Sequence, residues 1–225
     1  MTTTLITGAN KGLGLETARR LLAAGHTVHA GVRDLTTGTE VEALGAHLVQ
    51  LDVTDQASVD AALASLPELD VLVNNAGVFG AHLFDDLSPD AVREVLDTNV
   101  VGIVRVTQAA LPLLARSARP VVVNVASGVG WPRYLRDPVR DEHHVLSVPY
   151  AASKAAVVTL TVQYARNLPR FRVNASDPGY TATDLNHHSG HQTVTEGTDA
   201  TVALALVAAD GPTGEFHDRH GRIEY

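Results

Sequence analysis

Short, almost wholly apolar runs alternate along the chain with longer stretches in which apolar residues recur every three or four positions. Runs of the first kind are typical of strands buried on both faces of a parallel sheet, and stretches of the second kind are typical of helices that cover such a sheet. The pattern predicts strands at residues 3–7, 27–31, 47–51, 71–73, 120–125, 172–175 and 214–217. It predicts helices at residues 15–24, 57–66, 89–116, 150–167 and 196–209.

Strands and helices that alternate in this way are joined by right-handed crossovers into a parallel sheet. The pattern therefore predicts an α/β protein with a single-domain Rossmann fold, in which a doubly wound parallel sheet of about seven strands is flanked by helices. The sequence contains no internal repeat, low-complexity tract or linker, so residues 1–225 are expected to form one domain.

The turn between the first strand and the first helix is rich in glycine and reads Thr7-Gly8-Ala9-Asn10-Lys11-Gly12-Leu13-Gly14. A helix N-terminus carries about half a positive charge and has unpaired N–H groups, so it suits a pyrophosphate. Glycines let the backbone turn tightly and approach such a ligand. A turn that only caps a helix is the alternative, but the strand directly before it and the helix directly after it favour a dinucleotide site. The predicted contacts are Gly8, Asn10, Lys11, Gly12, Leu13 and Gly14.

The end of the second strand predicts which dinucleotide is preferred. Folds that select NAD usually place an acid there to bind the ribose hydroxyls, whereas this chain has Val32 followed by Arg33. Because Arg33 and Lys11 could converge on a 2′-phosphate, the sequence predicts NADP(H) as the cofactor. Two solvated surface cations are the alternative.

Small and polar residues also follow the third and fourth strands, at the edge where a parallel sheet binds its ligands. The Asp52 carboxylate could accept a hydrogen bond from an adenine amino group, begin the cap of the next helix, or do both. The fourth strand runs into Asn74-Asn75-Ala76-Gly77, a turn suited to packing beside a cofactor. The predicted cofactor contacts in these two turns are Asp52, Val53, Asn74, Ala76 and Gly77.

Tyr150 and Lys154 are the pair with the clearest chemistry. Residues four apart on a helix share one face, so the ammonium of Lys154 can approach Tyr150 and lower the pKa of its phenol towards neutrality. A surface tyrosine above a solvated lysine is the alternative. Ser127, at the end of the strand before this helix, and Asn99, which interrupts the apolar stripe of helix 89–116, favour the functional interpretation.

Composition then narrows the class of protein. The chain has 225 residues, 45% hydrophobic and 19% charged, which is typical of a globular protein with one sizeable core. A formal net charge of -8 argues against binding to nucleic acid, and the absence of cysteine excludes disulfides and thiolate chemistry. We find neither a signal peptide nor an apolar run of the ~20 residues that a membrane span needs. The expected location is the cytoplasm, without membrane association.

Taken together, the motifs identify a resemblance to the short-chain dehydrogenase/reductase family that extends over essentially the whole chain. The matching elements are Thr7-Gly8-x-x-x-Gly12-x-Gly14, Asn74-Asn75-Ala76-Gly77, Asn99, Ser127, Tyr150-x-x-x-Lys154 and Pro178-Gly179. Within the family, three stretches of this chain resemble the NADPH-dependent carbonyl reductase branch: Asn10-Lys11, Val32-Arg33-Asp34 and Gly211-Pro212-Thr213-Gly214-Glu215-Phe216.

The resemblance implies a role for each matching residue. Tyr150 would be the general acid, Ser127 would bind and polarise the substrate oxygen, and Lys154 would hold the nicotinamide ribose while lowering the pKa of Tyr150. Asn99 would position a water that links Lys154 to solvent. Contacts to the nicotinamide end are implied for Pro178, Gly179, Thr181 and Thr183. The implied activity is NADPH-dependent reduction of a ketone or aldehyde, reversible in principle.

Two stretches depart from the simplest members of the family. Ser127 and Tyr150 are 23 positions apart, which is longer than usual, and the extra segment 131–148 should lie over the substrate mouth. That segment could also cover the helix face used by family dimers, so both a homodimer and a monomer stay open. The stretch 180–197 is short for the substrate-closing region and implies an open pocket or a small substrate. Aromatic residues in loops at the strand ends are the candidate substrate wall: Phe79, Trp131, Tyr134 and Tyr180.

Three other interpretations were weighed. A catalytically inactive NADP(H)-binding regulator with the same fold would show damage to the Tyr, Lys and Ser set, which is intact here. A sugar-nucleotide epimerase would need a larger carboxyl-terminal domain than the roughly seventy residues that follow Lys154. The adjacent pairs His143-His144 and His187-His188 would point in opposite directions on extended chain, so no metal site is predicted.

Overall fold

A single twisted sheet organises the protein in the computed structural model, which describes residues 1–80 and 84–224. Its strands are β1 Thr3–Thr7, β2 Thr27–Val32, β3 His47–Gln50, β4 Val71–Asn74, β5 Val121–Val125, β6 Arg172–Ser176, β7 Phe216–Asp218 and β8 Gly221–Ile223. They lie in the order β3-β2-β1-β4-β5-β6-β7-β8, and every neighbouring pair is parallel except β7 and β8. The strand order reverses between β1 and β4, and a parallel sheet has its ligand crevice at such a point.

Helices cover both faces of the sheet. The α-helices are α1 Gly12–Ala23, α2 Thr39–Ala43, α3 Gln56–Ala64, α4 Pro89–Leu96, α5 Gly102–Leu114, α6 Pro132–Leu135, α7 Val148–Asn167, α8 Val194–Gly197 and α9 Asp199–Ala205. Single 3-10 turns occupy Leu35–Thr37, Phe84–Asp86, Gly128–Gly130, Asp141–His144 and Asp184–Asn186. The predicted doubly wound Rossmann fold is confirmed.

The alternation of side chains along β1 shows how one sheet builds two cores. Leu5 and Ile6 are both fully buried, but Leu5 packs with residues of α3 and α5, and Ile6 packs with residues of α1 and α9. Successive strand residues point to opposite faces, so a strand that is covered on both sides must be apolar at every position. This explains why the predicted strands read as continuous apolar runs.

The predicted helix 89–116 contains an irregular turn at its centre. Its start is as predicted, because the hydroxyl of Ser88 accepts a hydrogen bond from the N–H of Ala91 at 3.1 Å and Pro89 is the first helical residue. A π-helical turn, Asp97–Val101, then separates α4 from α5 and contains Asn99. Such turns are frequent at functional sites because the extra residue re-aims a side chain.

Some predicted boundaries were wrong. The helix predicted at residues 196–209 is two shorter helices, α8 and α9, which are separated at Thr198 and end at Ala205. β8 was not predicted; it pairs with β7 in an antiparallel hairpin and brings the sheet to eight strands. The segment 131–148, for which no helix or strand was predicted, contains α6 and the 3-10 turn Asp141–His144.

Within the described residues, no helix is both long enough and apolar enough to span a bilayer.

Candidate active site

A deep cleft opens at the carboxyl ends of the parallel strands and consists of two joined cavities. We call the larger one, of about 810 Å³, the outer cleft, and the smaller one, of about 140 Å³, the inner cavity. Residues that line both are Leu13, Asn75, Gly77, Phe79, Thr183 and Leu185. A molecule lying along the outer cleft can therefore reach the inner cavity without crossing a barrier of protein.

The outer cleft is lined by nearly all the residues predicted to bind the non-reacting part of a dinucleotide. The predicted residues that line it are Gly8, Asn10, Lys11, Gly12, Leu13, Gly14, Arg33, Asp52, Val53, Ala76 and Gly77. They come from the ends of β1, β2, β3 and β4, so the sheet topology brings together stretches that are far apart in sequence.

The glycine turn has the shape that a phosphate-binding turn requires. Gly8 and Gly12 have φ of +64° and +53°, in the left-handed region that favours glycine. A Cβ on Gly14 would stand less than 3 Å from the carbonyl oxygen of Gly8, so only glycine fits there. Lys11 directly precedes α1 and its side chain does not cap the helix, so an anion in the cleft can accept from the first-turn amides. These residues fit a pyrophosphate.

Asn75 fastens this turn to the end of β4. Its side-chain amide donates to the carbonyl oxygens of Thr7 and Gly8 at 2.9 and 3.0 Å, and the hydroxyl of Thr7 accepts from the backbone N–H groups of Asn75 and Ala76. The prediction singled out Asn74 instead. Because neighbouring strand residues face opposite sides, Asn74 points into the core, where its amide donates to Thr107 and Asn124.

The cationic end of the outer cleft carries Lys11 and Arg33 as predicted, but Lys11 has a partner that the sequence did not indicate. Its ammonium lies 2.9 Å from the carboxylate of Asp184, in the turn that follows Thr183. Both side chains are at least half exposed, so the pair contributes little to stability and an anionic ligand can compete for the lysine.

Asp52 lies in the outer cleft and also shapes the approach to α3. Its carboxylate accepts from the backbone N–H and the hydroxyl of Thr54 at 2.9 and 2.7 Å. The cap of α3 is Asp55, whose carboxylate accepts from the N–H of Ala57 at 3.0 Å. Asp52 therefore shapes the turn that leads into α3, whereas Asp55 forms the cap itself. The position of Asp52 in the outer cleft leaves the adenine role open.

The inner cavity brings Ser127, Tyr150 and Lys154 together. Ser127 follows β5, and its hydroxyl lies close enough to that of Tyr150, in the first turn of α7, to lower the pKa of the phenol. The Nζ of Lys154 donates to the carbonyl oxygen of Val125 at 2.8 Å and lies 5.5 Å from the centroid of the Tyr150 ring. All three line the same cavity, and both Tyr150 and Lys154 are buried.

Burial dominates the electrostatics of this group. It raises the pKa of Tyr150 well above its usual value, the charge of Asp177 raises it further, and the hydrogen bond from Ser127 lowers it. Burial also lowers the pKa of Lys154 to about 8, and Asp177 opposes that change. The Nζ of Lys154 is directed at the carbonyl oxygen of Val125, and Lys154 is not among the groups that shift the pKa of Tyr150 here, so its effect on the phenol stays a prediction.

Asn99 lies behind the cavity wall, and both its side-chain oxygen and its side-chain amide form hydrogen bonds within the protein. Its oxygen accepts from the N–H of Val78 at 2.8 Å, and its amide donates to the carbonyl oxygen of Val78 and the hydroxyl of Ser153. The Asn99 oxygen and the Nζ of Lys154 lie 3.3 and 3.7 Å from the position that a Cβ on Gly77 would take. The π-helical turn therefore brings the Asn99 side chain close to the Lys154 ammonium, and both lie next to Gly77.

Two of the four aromatic residues predicted for the substrate wall line the inner cavity. Phe79 stacks on Tyr150 with ring centroids 4.7 Å apart, and Tyr180 lies across the mouth with its hydroxyl hydrogen-bonded to Ser189. Trp131 and Tyr134 are not among the described residues that line it. The polypeptide turns away after Gly130 into α6, and Tyr134 packs on the hydrophobic cluster around Phe216 under the guanidinium of Arg140.

The remaining wall comes from β6 and from the segment 131–148. Pro178, Gly179, Thr181 and Thr183 line the inner cavity as predicted. The segment 131–148 lies over the cavity as expected and contributes Asp141, Glu142 and Val145. Asp177 also lines the cavity and was missed, although a carboxylate directly after a predicted strand and before Pro178-Gly179 is a signal that the sequence contained.

A Rossmann sheet whose dinucleotide-shaped cleft leads to a buried Ser, Tyr and Lys defines the class of dinucleotide-dependent oxidoreductases. The family model "short chain dehydrogenase" matches residues 2–193, and the chain belongs to that family. The resemblance inferred from the motifs is thereby confirmed.

Similar proteins include plant and bacterial reductases. The (+)-neomenthol dehydrogenase of Capsicum annuum is 30% identical, with 96% of this chain and 95% of the relative covered. The (-)-isopiperitenone reductase of Mentha piperita is 32% identical, with 96% and 95% covered. The alignment with the Capsicum annuum protein spans 297 positions, more than the 225 residues of this chain, so that relative carries insertions that this chain lacks.

Solved structures show the same architecture. The NADPH-bound carbonyl reductase from chicken fatty liver superposes with a TM-score of 0.89 at 27% identity, over 100% of this chain and 98% of the other. Salutaridine reductase from Papaver somniferum superposes with a TM-score of 0.83 at 28% identity, over 97% and 100%.

Proposed function

We propose that the protein is a carbonyl reductase that reduces a ketone or an aldehyde with NADPH, in a reaction that is reversible in principle. The observation that carries the proposal is that Ser127, Tyr150 and Lys154 line one small cavity, which shares part of its wall with a dinucleotide-shaped cleft. Two hydroxyl groups held together at one point are suited to bind one substrate oxygen.

The chain's own residues supply positioning and a proton. Ser127 and Tyr150 both present hydroxyls to the inner cavity, so a carbonyl oxygen placed between them accepts two hydrogen bonds and is polarised. Tyr150, whose raised pKa keeps it protonated, then donates its proton as negative charge develops on that oxygen. When it is bound, NADPH supplies the hydride. Lys154 and Thr183 are the residues that would hold its nicotinamide end.

The preference for NADPH is supported by the charges at the other end of the cleft. Val32 takes the place of the acid that would bind the ribose hydroxyls of NAD, and Arg33, the next residue, lines the outer cleft together with Lys11. Two cations favour a ligand that carries an additional phosphate. The names of similar proteins are consistent with this proposal, because they include (+)-neomenthol dehydrogenase, (-)-isopiperitenone reductase and an NADPH-bound carbonyl reductase.

The compact lid supports a small or openly bound substrate. The stretch from Tyr180 to Thr193 forms one 3-10 turn and a short bridge between Thr181 and Gln192. The similar Capsicum annuum enzyme needs a much longer alignment, so its additional chain is not available here to enclose a large substrate.

A panel of aldehydes and ketones, followed by the loss of NADPH absorbance, tests the proposal. We expect turnover of at least one carbonyl class, with a lower KM for NADPH than for NADH. Turnover that prefers NADH would contradict the cofactor assignment. Binding of NADPH without turnover of any member of a broad panel would favour the inactive regulator instead; nothing in the geometry of Ser127, Tyr150 and Lys154 supports that alternative.

A further inference from the structure

Asp177 is a buried carboxylate in the wall of the inner cavity, directly before Pro178 and Gly179. It is 5% exposed and lines the same cavity as Tyr150 and Lys154. A buried carboxylate is costly unless it is held by hydrogen bonds or an opposite charge. The proposed reaction does not use it as a proton donor, so its position requires another explanation.

Backbone amides favour the charged form of the carboxylate. The N–H of Gly179 donates to its Oδ1 at 3.0 Å, and the nearby N–H of Gly128 also lowers the pKa of Asp177. Gly128 directly follows Ser127, so Asp177 links two segments: the loop that contains the serine and the turn after β6. The anion therefore has a fixed place in the site.

The strand register brings this anion next to the tyrosine and lysine. Lys154 donates to the carbonyl oxygen of Val125, and Val125 is paired across the sheet with Ser176, the residue directly before Asp177. Ser127, two residues after Val125, lies close to Tyr150. The anion, the ammonium and the phenol thus meet at the ends of two neighbouring strands.

Two cations face Asp177, and one of them already has an acidic partner, so Lys154 is the cation that Asp177 chiefly stabilises. The titratable groups that face it are Glu142 and Arg140 from the segment over the cavity, Tyr134 from α6, Asp218 from β7, and Tyr150 and Lys154 from α7. Arg140 is already paired through two 3.0 Å contacts with Glu142. A negative charge beside a buried amine favours the ammonium, and beside a buried phenol it disfavours the phenolate.

We infer that Asp177 is the counter-charge that keeps Lys154 an ammonium and Tyr150 a protonated phenol, and that it thereby favours proton donation to a carbonyl over proton removal from an alcohol. Asp177 acts through these two residues and does not itself exchange a proton with substrate. The catalytic part of this inference rests on the proposed function, whereas the charge relationship can be measured without turnover.

The chain is well suited to that measurement because its sequence contains two lysines, Lys11 and Lys154. Lysine labelled with ¹³C at Cε gives one signal for each, and Lys11 serves as an exposed internal reference. In a pH titration of the whole protein, we expect Asp177→Asn to lower the pKa of Lys154 by about one pH unit or more and to leave Lys11 unchanged.

Asp218→Asn is the matched control. It removes the same charge on the same side of the sheet, but Asp218 accepts from the N–H of His220 in the β7–β8 turn and does not line the cavity. We expect the Lys154 titration to be unchanged in this variant. The wild type gives a second measurement that requires no substitution: the Lys154 signal should show a smaller inflection near pH 6, where Asp177 gains its proton.

Activity supplies the arm that depends on the proposed function. With carbonyl substrate and NADPH, Asp177→Asn should shift the basic limb of the kcat/KM profile to lower pH by a similar amount, whereas a purely structural role would lower kcat without moving the limb. If Asp177→Asn folds and its Lys154 titration is unchanged, the inference is overturned. If Asp177→Asn does not fold, a wild-type Lys154 signal without the inflection near pH 6 overturns it. A shifted titration in a protein that reduces no carbonyl would refute the proposed function and leave the charge relationship standing.

Discussion

The ring of Phe79 lies against that of Tyr150, with centroids 4.7 Å apart and planes inclined by 29°. One ring follows β4 and the other lies in α7, so the stack joins these two elements through the face of the phenol ring. Phe79 also lines both cavities, and it is therefore the residue most directly placed to select substrates by shape.

Phe79→Ala should raise the KM for aromatic ketones about tenfold, because a lost stack and the lost apolar contact together cost on the order of 1.4 kcal/mol. Steady-state kinetics with an aromatic and a small aliphatic ketone test this. Phe84→Ala is the control, since Phe84 is 76% exposed and does not line the inner cavity. Equal effects of the two substitutions would show that Phe79 does not contact the substrate.

Tyr150→Phe removes the proton donor and keeps the stack with Phe79. We expect kcat to fall by a factor of about 10² to 10⁴, while the Kd for NADPH changes little. Stopped-flow or steady-state turnover and fluorescence titration with NADPH give the two values. Tyr164→Phe is the matched control, because that hydroxyl accepts from Gln108 on the outer surface of α7. Retained turnover in Tyr150→Phe would exclude the proposed acid.

Arg33→Ala should raise the KM for NADPH about tenfold and leave that for NADH almost unchanged, because only NADPH carries the additional phosphate. The ratio of kcat/KM for the two cofactors measures the effect. Arg93→Ala removes an equally exposed cation that is paired with Asp90 and lies outside the cleft. A loss that is the same for both cofactors would place Arg33 away from the phosphate.

Asp177 also predicts a pH dependence of stability. Burial raises its pKa from 3.8 to about 6, so the folded protein binds this proton more tightly than the unfolded chain does. The associated stabilisation is complete below pH 3.8 and is lost as the pH rises through 6, with a slope of at most about 1.4 kcal/mol per pH unit. Asparagine does not titrate, so the free energy of unfolding of the wild type should fall relative to that of Asp177→Asn across this window.

Denaturant titrations of both variants at several pH values within that window provide the measurement. Asp218→Asn should keep most of the dependence, with the window moved slightly to lower pH, because the charge of Asp218 contributes to the raised pKa of Asp177 and burial is the larger cause. Parallel curves for the wild type and Asp177→Asn would show that the folded and unfolded states bind this proton equally.

The sheet and its helices could be predicted because burial on both faces leaves a simple pattern: the apolar side chains of β1 and β4 alternate between two cores, and no charged residue interrupts either strand. β8 escaped prediction because its three residues, Gly221–Ile223, bury one apolar side chain, Ile223. The break between α8 and α9 falls at Thr198, directly after Gly197, a glycine that the prediction placed inside a continuous helix.

At the site, motifs identified which residues gather but not which way each one points. Asn74 and Asn75 are chemically identical neighbours, and only the register of β4 decides that Asn75 faces the glycine turn. Trp131 and Tyr134 were placed by analogy with loops, whereas α6 carries Tyr134 towards Phe216. The ion pair of Lys11 with Asp184 joins positions that are 173 residues apart, and no local pattern could have indicated it.

The scarcity of lysine has a practical consequence for anyone who wishes to attach this protein to a surface or a dye. Lys154 is 5% exposed, whereas the side chain of Lys11 is 64% exposed at the rim of the outer cleft. Reagents that acylate amines will therefore react with Lys11 and with the terminal amine. Such conjugation would acylate the rim of the nucleotide entrance itself, and bound dinucleotide should shield it. Attachment through an introduced cysteine on a distant surface avoids this, because the natural sequence offers no competing thiol.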